Sequence, residues 1–399
     1  MSVVDGVKTE RTVRFGLAFV GIMVIAVNLR VAFVSVGPLL VEISSDQGWS
    51  NSTAGLLTGL PLIAFAVFSP VAPGLAFRLG LDRALWVSLL LLMLGVLARS
   101  APVEGAIWVG TALLGAAIAF LNVLLPSLVK RDVPTRVSQV TGIYTAAQGA
   151  VSAGGAALVV PIAHATNSGW RLALGIWAGL ALVALAVLLP RIRRHVSSAG
   201  PAADGPSPTY RSPWKSALGW QVTVFMGLQS MAFFILMAWL PSIEQDHGIS
   251  QVASGMHISV FLSTGTLASL GAGALLHRFT DQRPLALITS VFAVGAYVGL
   301  AVAPEVSLLW CVVAALGCGS LIVIALSLFS LRTVHHTQAA ALSGMAQSIG
   351  YAIAAAGPVA FGALHDLSGG WTLPLAATAG SMLVLCIVAV LSARNRLIG

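Results

Sequence analysis

Twelve apolar runs, each about 20 residues long, are the feature of this 399-residue chain that most limits its fold. A helix of that length crosses the hydrocarbon core of a bilayer. Charged residues make up only 9% of the sequence, whereas a soluble domain carries roughly 25%. The pattern predicts an all-α membrane protein with twelve transmembrane helices, and it excludes a soluble enzyme or a disordered chain.

Short segments with glycine, proline or charged residues separate the predicted helices. None of the runs alternates with the two-residue period of a membrane β-barrel. The predicted helices span residues 14–40, 52–76, 84–101, 105–129, 137–163, 170–190, 216–241, 251–277, 284–303, 306–331, 338–364 and 371–392.

Lysine and arginine collect on one side of the predicted membrane. Of the 21 basic residues, 18 lie in the N-terminal segment, alternate loops, the middle loop or the tail, while Arg99 and Arg171 lie opposite. Because cytoplasmic loops carry the excess of basic residues, we expect both termini in the cytoplasm and the chain in the cytoplasmic (inner) cell membrane. The net charge of +8 then reflects topology. We expect the lipid bilayer as a partner, no nucleic acid, and a monomer.

The second half of the chain repeats the first at an offset of about 200 residues. Residues 46–55 read D-Q-G-W-S-N-S-T-A-G and residues 246–255 read D-H-G-I-S-Q-V-A-S-G. Further matched pairs are Ala32-Phe33 and Ala232-Phe233, Arg78 and Arg278, Arg83 and Arg283, His164 and His365, and Trp170 and Trp371. We therefore predict two pseudo-symmetric six-helix bundles, in residues 1–190 and 216–399. Residues 191–215 are rich in Pro, Ser, Gly and Ala, which predicts a flexible cytoplasmic linker.

This plan resembles the major facilitator superfamily over essentially the whole chain. The loop after the second predicted helix, P-G-L-A-F-R-L-G-L-D-R, is similar to the G-x-L-a-D-r-x-G-r-r signature of that superfamily. Arg78, Gly80 and Arg83 match the signature, while Phe77 stands where an aspartate is usual. The resemblance implies that these matching residues belong to a loop involved in conformational change. Arg278 and Arg283 are their counterparts in the second half.

The first predicted helix carries a more specific resemblance. Its sequence N-L-R-V-A-F-V-S-V-G-P-L-L-V-E-I resembles the cyanate/nitroimidazole porter family, whose first helix reads N-L-R-x-x-x-x-S-V-G-P-L-L. This resemblance implies a small substrate that is often anionic or nitro-bearing.

Arg30 lies near the middle of the first predicted helix, where an arginine costs about 2.5–3.5 kcal/mol on the insertion scale. No Asp or Glu lies at comparable depth in the predicted helices. Because a guanidinium grips two oxygens at once, we predict an anion site at Arg30. Packing of Arg30 against backbone carbonyls is the alternative. Asn28 lies about 200° around the helix, so it contacts either the substrate or a neighbouring helix.

The fifth and eleventh predicted helices occupy equivalent places in the two halves, and each carries a Tyr and a Gln at four-residue spacing. The pairs are Tyr144 with Gln148 and Gln347 with Tyr351. This spacing stacks both groups on one helix face, and polar groups in lipid must face protein or water. We expect these four residues either to bind polar substrate atoms or to join helices.

Further candidates follow from the superfamily resemblance, which implies that helices 1, 4, 7 and 10 line a central cavity. Asn122 and Gln229 are then candidate substrate contacts, and Phe33 and Phe233 are candidate apolar walls. His257 and Glu42, near the predicted external ends of their helices, are candidates for proton coupling. A packing histidine is the alternative for His257.

The sequence contains no phosphate-binding Gly-Lys loop, no His/Glu metal set and no catalytic constellation. We therefore expect no enzyme activity, no metal and no cofactor. The predicted function is secondary active transport of a small anionic or nitro-bearing solute, cyanate-like or nitroimidazole-like, by alternating access of two bundles around a midplane site. One alternative is a proton-coupled exporter of hydrophobic compounds, which the lack of the antiporter Gly-Pro in helix 5 disfavours. A membrane receptor is the other, although the middle loop of 25 residues is too short for a sensory domain.

Overall fold

The computed structural model describes residues 3–49, 51–165, 169–197 and 211–398. Every regular element in these ranges is a helix. The α-helices are α1 (Val3–Val34), α2 (Leu40–Gln47), α3 (Asn51–Phe68), α4 (Ala72–Leu79), α5 (Leu81–Ser100), α6 (Ala106–Asp132), α7 (Val137–Ala165), α8 (Gly169–Gly175), α9 (Trp177–Ser197), α10 (Ala217–Asp246), α11 (Gln251–Arg278), α12 (Arg283–Val302), α13 (Ser307–Leu331), α14 (His336–Ser368) and α15 (Thr372–Ser392). Much of the predicted linker, residues 198–210, lies outside the described residues.

Twelve segments of the described residues are helical, long and apolar enough to cross a membrane. This confirms the predicted all-α fold with twelve spans. The first predicted helix is interrupted, however, because α1 ends at Val34 and a 3-10 turn follows at Gly37–Leu39. Pro38 within that turn has no backbone N–H to continue an α-helix. A second 3-10 turn, at Ser69–Val71, separates α3 from α4 within one span.

The chain divides into two compact units. Unit 1 comprises Met1–Thr135, Ala147–Tyr210 and His335–Ala340, and unit 2 comprises Arg136–Ala146, Arg211–Val334 and Ala341–Gly399. The sequence-based domain boundaries at residues 190 and 216 stay a prediction.

In unit 1, glycines allow the backbones of α5 and α6 to touch. A Cβ atom added at Gly95 would lie 2.7 Å from the backbone nitrogen of Leu114, and one added at Gly110 would lie 2.2 Å from that of Arg99. Small residues at a contact are how helices approach closely in lipid. This contact holds the C-terminal end of α5, with Arg99, against α6.

In unit 2, α11 and α13 approach in the same manner at Gly265 and Gly319, where an added Cβ on Gly319 would lie 2.2 Å from the Gly265 carbonyl oxygen. A buried hydrogen bond also joins α12 to α10, since the Tyr297 hydroxyl donates to the Ala232 carbonyl at 2.6 Å. These contacts fix the helices that carry the titratable groups described below.

Residues matched by the internal repeat meet in space in both units. The indole N–H of Trp170 donates to Asp46 at 3.1 Å in unit 1, and the indole N–H of Trp371 donates to Asp246 at 2.7 Å in unit 2. Both tryptophans are at least nine-tenths buried. The sequence repeat therefore corresponds to a repeated tertiary contact.

Candidate functional site

Asn28 and Arg30 point to different sides of α1, as their spacing predicts. Asn28 is buried, and its amide donates to the carbonyl oxygens of Val24 at 2.7 Å and of Leu180 in α9 at 3.3 Å. Arg30 is exposed, and within the described residues it has no hydrogen bond or ion pair. Asn28 thus joins two helices, which was one of its two predicted roles, while the guanidinium of Arg30 remains available to a solute.

The two Tyr/Gln pairs lie in uninterrupted helix, on α7 and α14. Tyr144 and Gln148 are buried at 2% and 5% exposure. Gln347 is buried too, and its amide donates to the hydroxyl of Ser343 at 2.8 Å, while Tyr351 is half-buried. Polar groups with this degree of burial require partners, so they can serve helix packing, a solute or both.

The other predicted substrate contacts differ in burial and in the contacts that they make with neighbouring residues. Gln229 is buried, and its amide donates to the Ser230 hydroxyl at 2.7 Å and to the Met226 carbonyl at 3.2 Å. Asn122 is half-buried in α6. Phe233 packs against Phe261, with ring centroids 5.6 Å apart. Gln229 and Phe233 therefore already have packing roles inside unit 2.

A buried carboxylate beside His257 was missed by the sequence analysis. The seventh span was predicted to end at residue 241, but α10 continues to Asp246 and buries Glu244, whose side chain is 0% exposed. His257 Nδ1 lies 2.8 Å from Oε1 of Glu244 and 3.4 Å from the Ser307 hydroxyl. Oε2 of Glu244 has no hydrogen-bond partner among the described residues. A carboxylate next to an imidazole is a pair of groups that acid–base chemistry in proteins commonly uses.

Cys311 adds a third donor to this cluster, with Sγ 3.9 Å from Oε1 of Glu244. The donor atoms of Glu244, His257 and Cys311 all lie within 4.8 Å of one another. Such an O, N and S set is also one that Zn²⁺ accepts, so a test of the cluster must separate protons from metal.

Glu42, the other predicted proton-coupling residue, is more exposed. Its carboxylate lies 3.6 Å from Nε2 of His164, with side-chain exposures of 37% for Glu42 and 69% for His164. Both residues line an open cleft of about 700 Å³ in unit 1, together with Asp46 and Arg171. Exposed ion pairs of this kind contribute little to stability.

Arg99 is a second residue whose surroundings the sequence does not predict. Its place among the external cations stays a prediction, and in the structure it is fully buried at 0% exposure. One guanidinium nitrogen, Nη1, donates to the Ala32 carbonyl of α1 at 2.8 Å. The close approach of α5 to α6 at Gly110 produces this burial, which no local sequence pattern reports.

The predicted conformational loop is organised by an aspartate and not by the arginines of the signature. Arg131 of α6 forms two hydrogen bonds of 2.8 Å with Asp82, and Arg191 pairs with Asp82 at 3.3 Å. Arg78 and Arg83 are exposed beside Gly80. The bidentate pair fixes the start of α5 against the end of α6.

Unit 2 has a related but less charged arrangement. Gln282 stands at the place of Asp82 in the repeat and accepts a hydrogen bond from Arg332, which also donates to the carbonyls of Ser392 at 3.1 Å and Ala393 at 2.9 Å. Burial lowers the pKa of Arg332 to about 10. Arg283 pairs with Asp281 at 2.8 Å, and Arg278 is exposed.

The sequence pattern of the Major Facilitator Superfamily matches residues 18–355. The chain belongs to this superfamily. It is therefore a multi-pass membrane protein and a secondary transporter, and the family does not consist of enzymes.

Among individual proteins, the chain is 40% identical to the uncharacterized transporter YycB of Bacillus subtilis, over 92% of this chain and 90% of that protein. It is 39% identical to the 2-nitroimidazole transporter of Escherichia coli, over 94% and 95% of the two chains. It is 30% identical to the cyanate transport protein CynX of Escherichia coli, over 92% and 93%. These relatives confirm the resemblance to the cyanate/nitroimidazole porters.

The crystal structure of the Major Facilitator Superfamily transporter FucP in the outward conformation matches with a TM-score of 0.74, over 96% of this chain and 100% of that one. The identity between the two is 12%, so this likeness concerns the fold alone.

Proposed function

We propose that this transporter moves a small anionic or nitro-bearing solute, of the cyanate or nitroimidazole kind, by alternating access. The observation that carries the proposal is Arg30, an exposed arginine in a membrane-spanning helix that no described residue neutralises. Relatives whose names include 2-nitroimidazole and cyanate, at 39% and 30% identity, support the same class of solute.

The chemistry of the guanidinium favours this class over an uncharged apolar compound. A cation without a partner in a low-dielectric region is costly. A nitro group offers two oxygens to the planar fork of the guanidinium, and cyanate offers its negative charge through a single oxygen. We place the solute's negative oxygens at Arg30. The residues of the Tyr144/Gln148 and Gln347/Tyr351 pairs, and Asn122, Gln229, Phe33 and Phe233, stay candidate contacts for the solute, as the sequence predicts.

Uptake by liposomes that contain the purified protein tests the proposal. Radiolabelled cyanate and 2-nitroimidazole are offered to wild type, Arg30→Ala, Arg30→Lys and the control Arg396→Ala, which removes an exposed arginine of the C-terminal segment. We expect Arg30→Ala to abolish saturable uptake, Arg30→Lys to retain a weak activity, and Arg396→Ala to match wild type. Wild-type uptake by Arg30→Ala would contradict the proposal. Export of an apolar dye that ignores Arg30→Ala would favour the rival hydrophobic-compound exporter.

For the driving ion, we propose a proton carried by the Glu244–His257 pair. The carboxylate is fully buried, one of its oxygens lacks a partner among the described residues, and the imidazole is 2.8 Å away and partly exposed. His257 can pass a proton between solvent and the carboxylate. Glu42 beside His164 is the weaker candidate because water screens that exposed pair.

A pH jump across the liposome membrane tests this coupling. Glu244→Gln should lose pH-driven accumulation but keep downhill solute flux, because the amide keeps the shape of the side chain and cannot bind the proton. Cys311→Ser is the matched control, since it touches the same carboxylate oxygen, and it should behave as wild type. If micromolar Zn²⁺ raises the melting temperature of wild type but not of Cys311→Ser, the cluster is a metal site and the proton assignment fails.

A further inference from the structure

Arg99 carries more hydrogen-bonding capacity than the fold uses. Nη1 donates to the Ala32 carbonyl, in the last turn of α1, where a helix leaves carbonyls without partners. Nε and Nη2 have no hydrogen-bond partner, and no carboxylate pairs with Arg99 in the part of the chain that the structure describes. A fully buried guanidinium therefore keeps its charge uncompensated and one whole edge unused.

The second half of the repeat indicates that this charge is not needed for packing. Ala232 is the repeat partner of Ala32, and its carbonyl accepts a hydrogen bond from the hydroxyl of Tyr297 at 2.6 Å. Tyr297 is as deeply buried in unit 2 as Arg99 is in unit 1. A neutral phenol thus makes the equivalent contact without the desolvation cost of a buried charge.

A cavity of about 180 Å³ lies against Arg99 in unit 1. Its wall is mostly apolar, and Thr111 is the other lining residue with a polar side chain. Thr111 is 2% exposed, and its hydroxyl has no hydrogen-bond partner among the described residues. The other lining residues include Phe33, Gly37, Leu57, Pro61 and Leu114. Gly37 is exposed and Phe33 is half-buried, so the cavity has a rim that a ligand can reach.

We propose that Arg99 and Thr111 form an anion-binding site in unit 1, separate from Arg30, that takes a small planar monovalent oxyanion such as nitrate. The Nε–H and Nη2–H groups form the side edge of the guanidinium and donate in parallel to two oxygens of the ligand. The Thr111 hydroxyl donates to the third oxygen. The site does not depend on the solute proposed for Arg30.

Shape and charge select the ligand. One buried guanidinium neutralises one negative charge, and the apolar wall penalises any second charge that lacks a partner. The volume corresponds to roughly six water molecules at about 30 Å³ each, which admits a four-atom anion and excludes a large organic acid. A dianion such as sulfate would leave one of its two charges without a partner against the apolar wall.

Isothermal titration calorimetry of the purified full-length protein with sodium nitrate, in a sulfate buffer, tests the site. We expect saturable binding to wild type and a dissociation constant raised at least about tenfold in Arg99→Lys, because the ammonium loses the bidentate edge. In Thr111→Val, which keeps the shape and removes the hydroxyl, we expect about a fivefold increase. The matched control Tyr297→Phe, which removes the equivalent hydrogen bond in unit 2, should leave nitrate binding unchanged.

Thr111→Val also protects the test against a folding defect in Arg99→Lys. Removing an unpaired buried hydroxyl should not lower the melting temperature without nitrate, so weaker binding by this variant reports on the site. Absence of saturable nitrate binding to wild type would overturn the proposal. Nitrate binding that is lost in Arg30→Gln but retained in both Arg99→Lys and Thr111→Val would overturn it too, because the anion would then lie at Arg30.

Discussion

Ala32 in unit 1 and Ala232 in unit 2 are matched by the repeat, yet their carbonyls accept hydrogen bonds from an arginine in one case and a tyrosine in the other. At the predicted external side of the membrane the two units agree instead, since Trp170 and Trp371 donate to matched aspartates. Contacts that both units keep define the architecture of the repeat. A contact that is charged in one unit and neutral in the other is a candidate for a function that only one unit has.

The start of α5 and the start of α12 extend this comparison. In unit 1, Asp82 pairs with Arg131 through two hydrogen bonds of 2.8 Å. In unit 2, Gln282 accepts from Arg332, and backbone carbonyls supply the remaining acceptors. The acceptor of the arginine is thus a carboxylate in unit 1 and an amide with two carbonyls in unit 2, where the ion pair of Arg283 with Asp281 at the start of α12 is exposed.

The largest expected effect concerns the two sides of the membrane on which these contacts lie. In a cysteine-free background, Ser45→Cys beside Asp46 and Thr280→Cys beside Asp281 are both exposed positions. Because the basic loops are expected inside, an impermeant thiol reagent on intact cells should label position 45 and leave position 280 unlabelled until the cells are opened. Equal labelling at both positions would mean that the predicted orientation is wrong.

The next largest effect is the loss of stability when the Asp82–Arg131 ion pair of unit 1 is removed, compared with the loss when it is replaced by an amide as in unit 2. Asp82→Ala leaves the partly buried Arg131 without its bidentate partner, and we expect a loss of about 2 to 3 kcal/mol in the free energy of unfolding. Asp82→Asn supplies a neutral acceptor, as Gln282 does, so we expect a loss of about 1 kcal/mol. Denaturant unfolding in detergent, followed by circular dichroism, measures both.

Gln282→Ala is the matched control for that comparison. Arg332 keeps its bonds to the carbonyls of Ser392 and Ala393, so this variant should be less destabilised than Asp82→Ala. A loss in Gln282→Ala that equals the loss in Asp82→Ala would remove the distinction between the two units.

The sequence predicted some of these structural features and not others. The twelve spans follow from apolar length. The repeat matches the aspartates and the tryptophans of the two halves, but it does not say that each aspartate meets a tryptophan. Glu244 was missed because apolar length ends at residue 241, whereas α10 continues to Asp246 and buries Glu244 in a last turn whose end is exposed. The burial of Arg99 was not predicted because it depends on the close approach of Gly110 from another helix. The period of the apolar residues and the number of charges do not predict contacts between residues of different helices.

A smaller effect concerns the Tyr/Gln pairs, which also occur in both halves. Gln148→Ala and Gln347→Ala should each raise the transport KM about fivefold, the value of one hydrogen bond, with little loss of protein in the membrane. Thr223→Val is the control, because the Thr223 hydroxyl bonds only the Gly219 carbonyl within its own helix according to the described contacts. An unchanged KM together with poor expression of the Gln variants would assign these residues to helix packing.

The smallest effect concerns the Asp–Trp contacts that both units keep. Trp170→Phe and Trp371→Phe each remove the indole N–H and retain much of the ring packing. Because the acceptor aspartates are exposed and regain water, we expect a loss of only about 0.5 to 1 kcal/mol in the free energy of unfolding for each variant. The exposed Trp214→Phe is the control and should change nothing measurable.

The pH dependence of the Trp170→Phe difference sharpens this last test. A hydrogen bond from Gln47 lowers the pKa of Asp46 below its ordinary value of 3.8. Burial opposes this effect, and Trp170 and Arg171 each lower the pKa by a smaller amount. A carboxyl whose pKa is lower in the folded state stabilises the protein above its unfolded pKa and loses that contribution as the pH falls through the folded value. The difference between wild type and Trp170→Phe should therefore be the same at pH 7 and pH 5. A difference that vanished by pH 5 would mean that the ionised Asp46 carboxylate is not the acceptor of the Trp170 indole N–H. The Asp–Trp hydrogen bond would then not be a contact that stabilises unit 1.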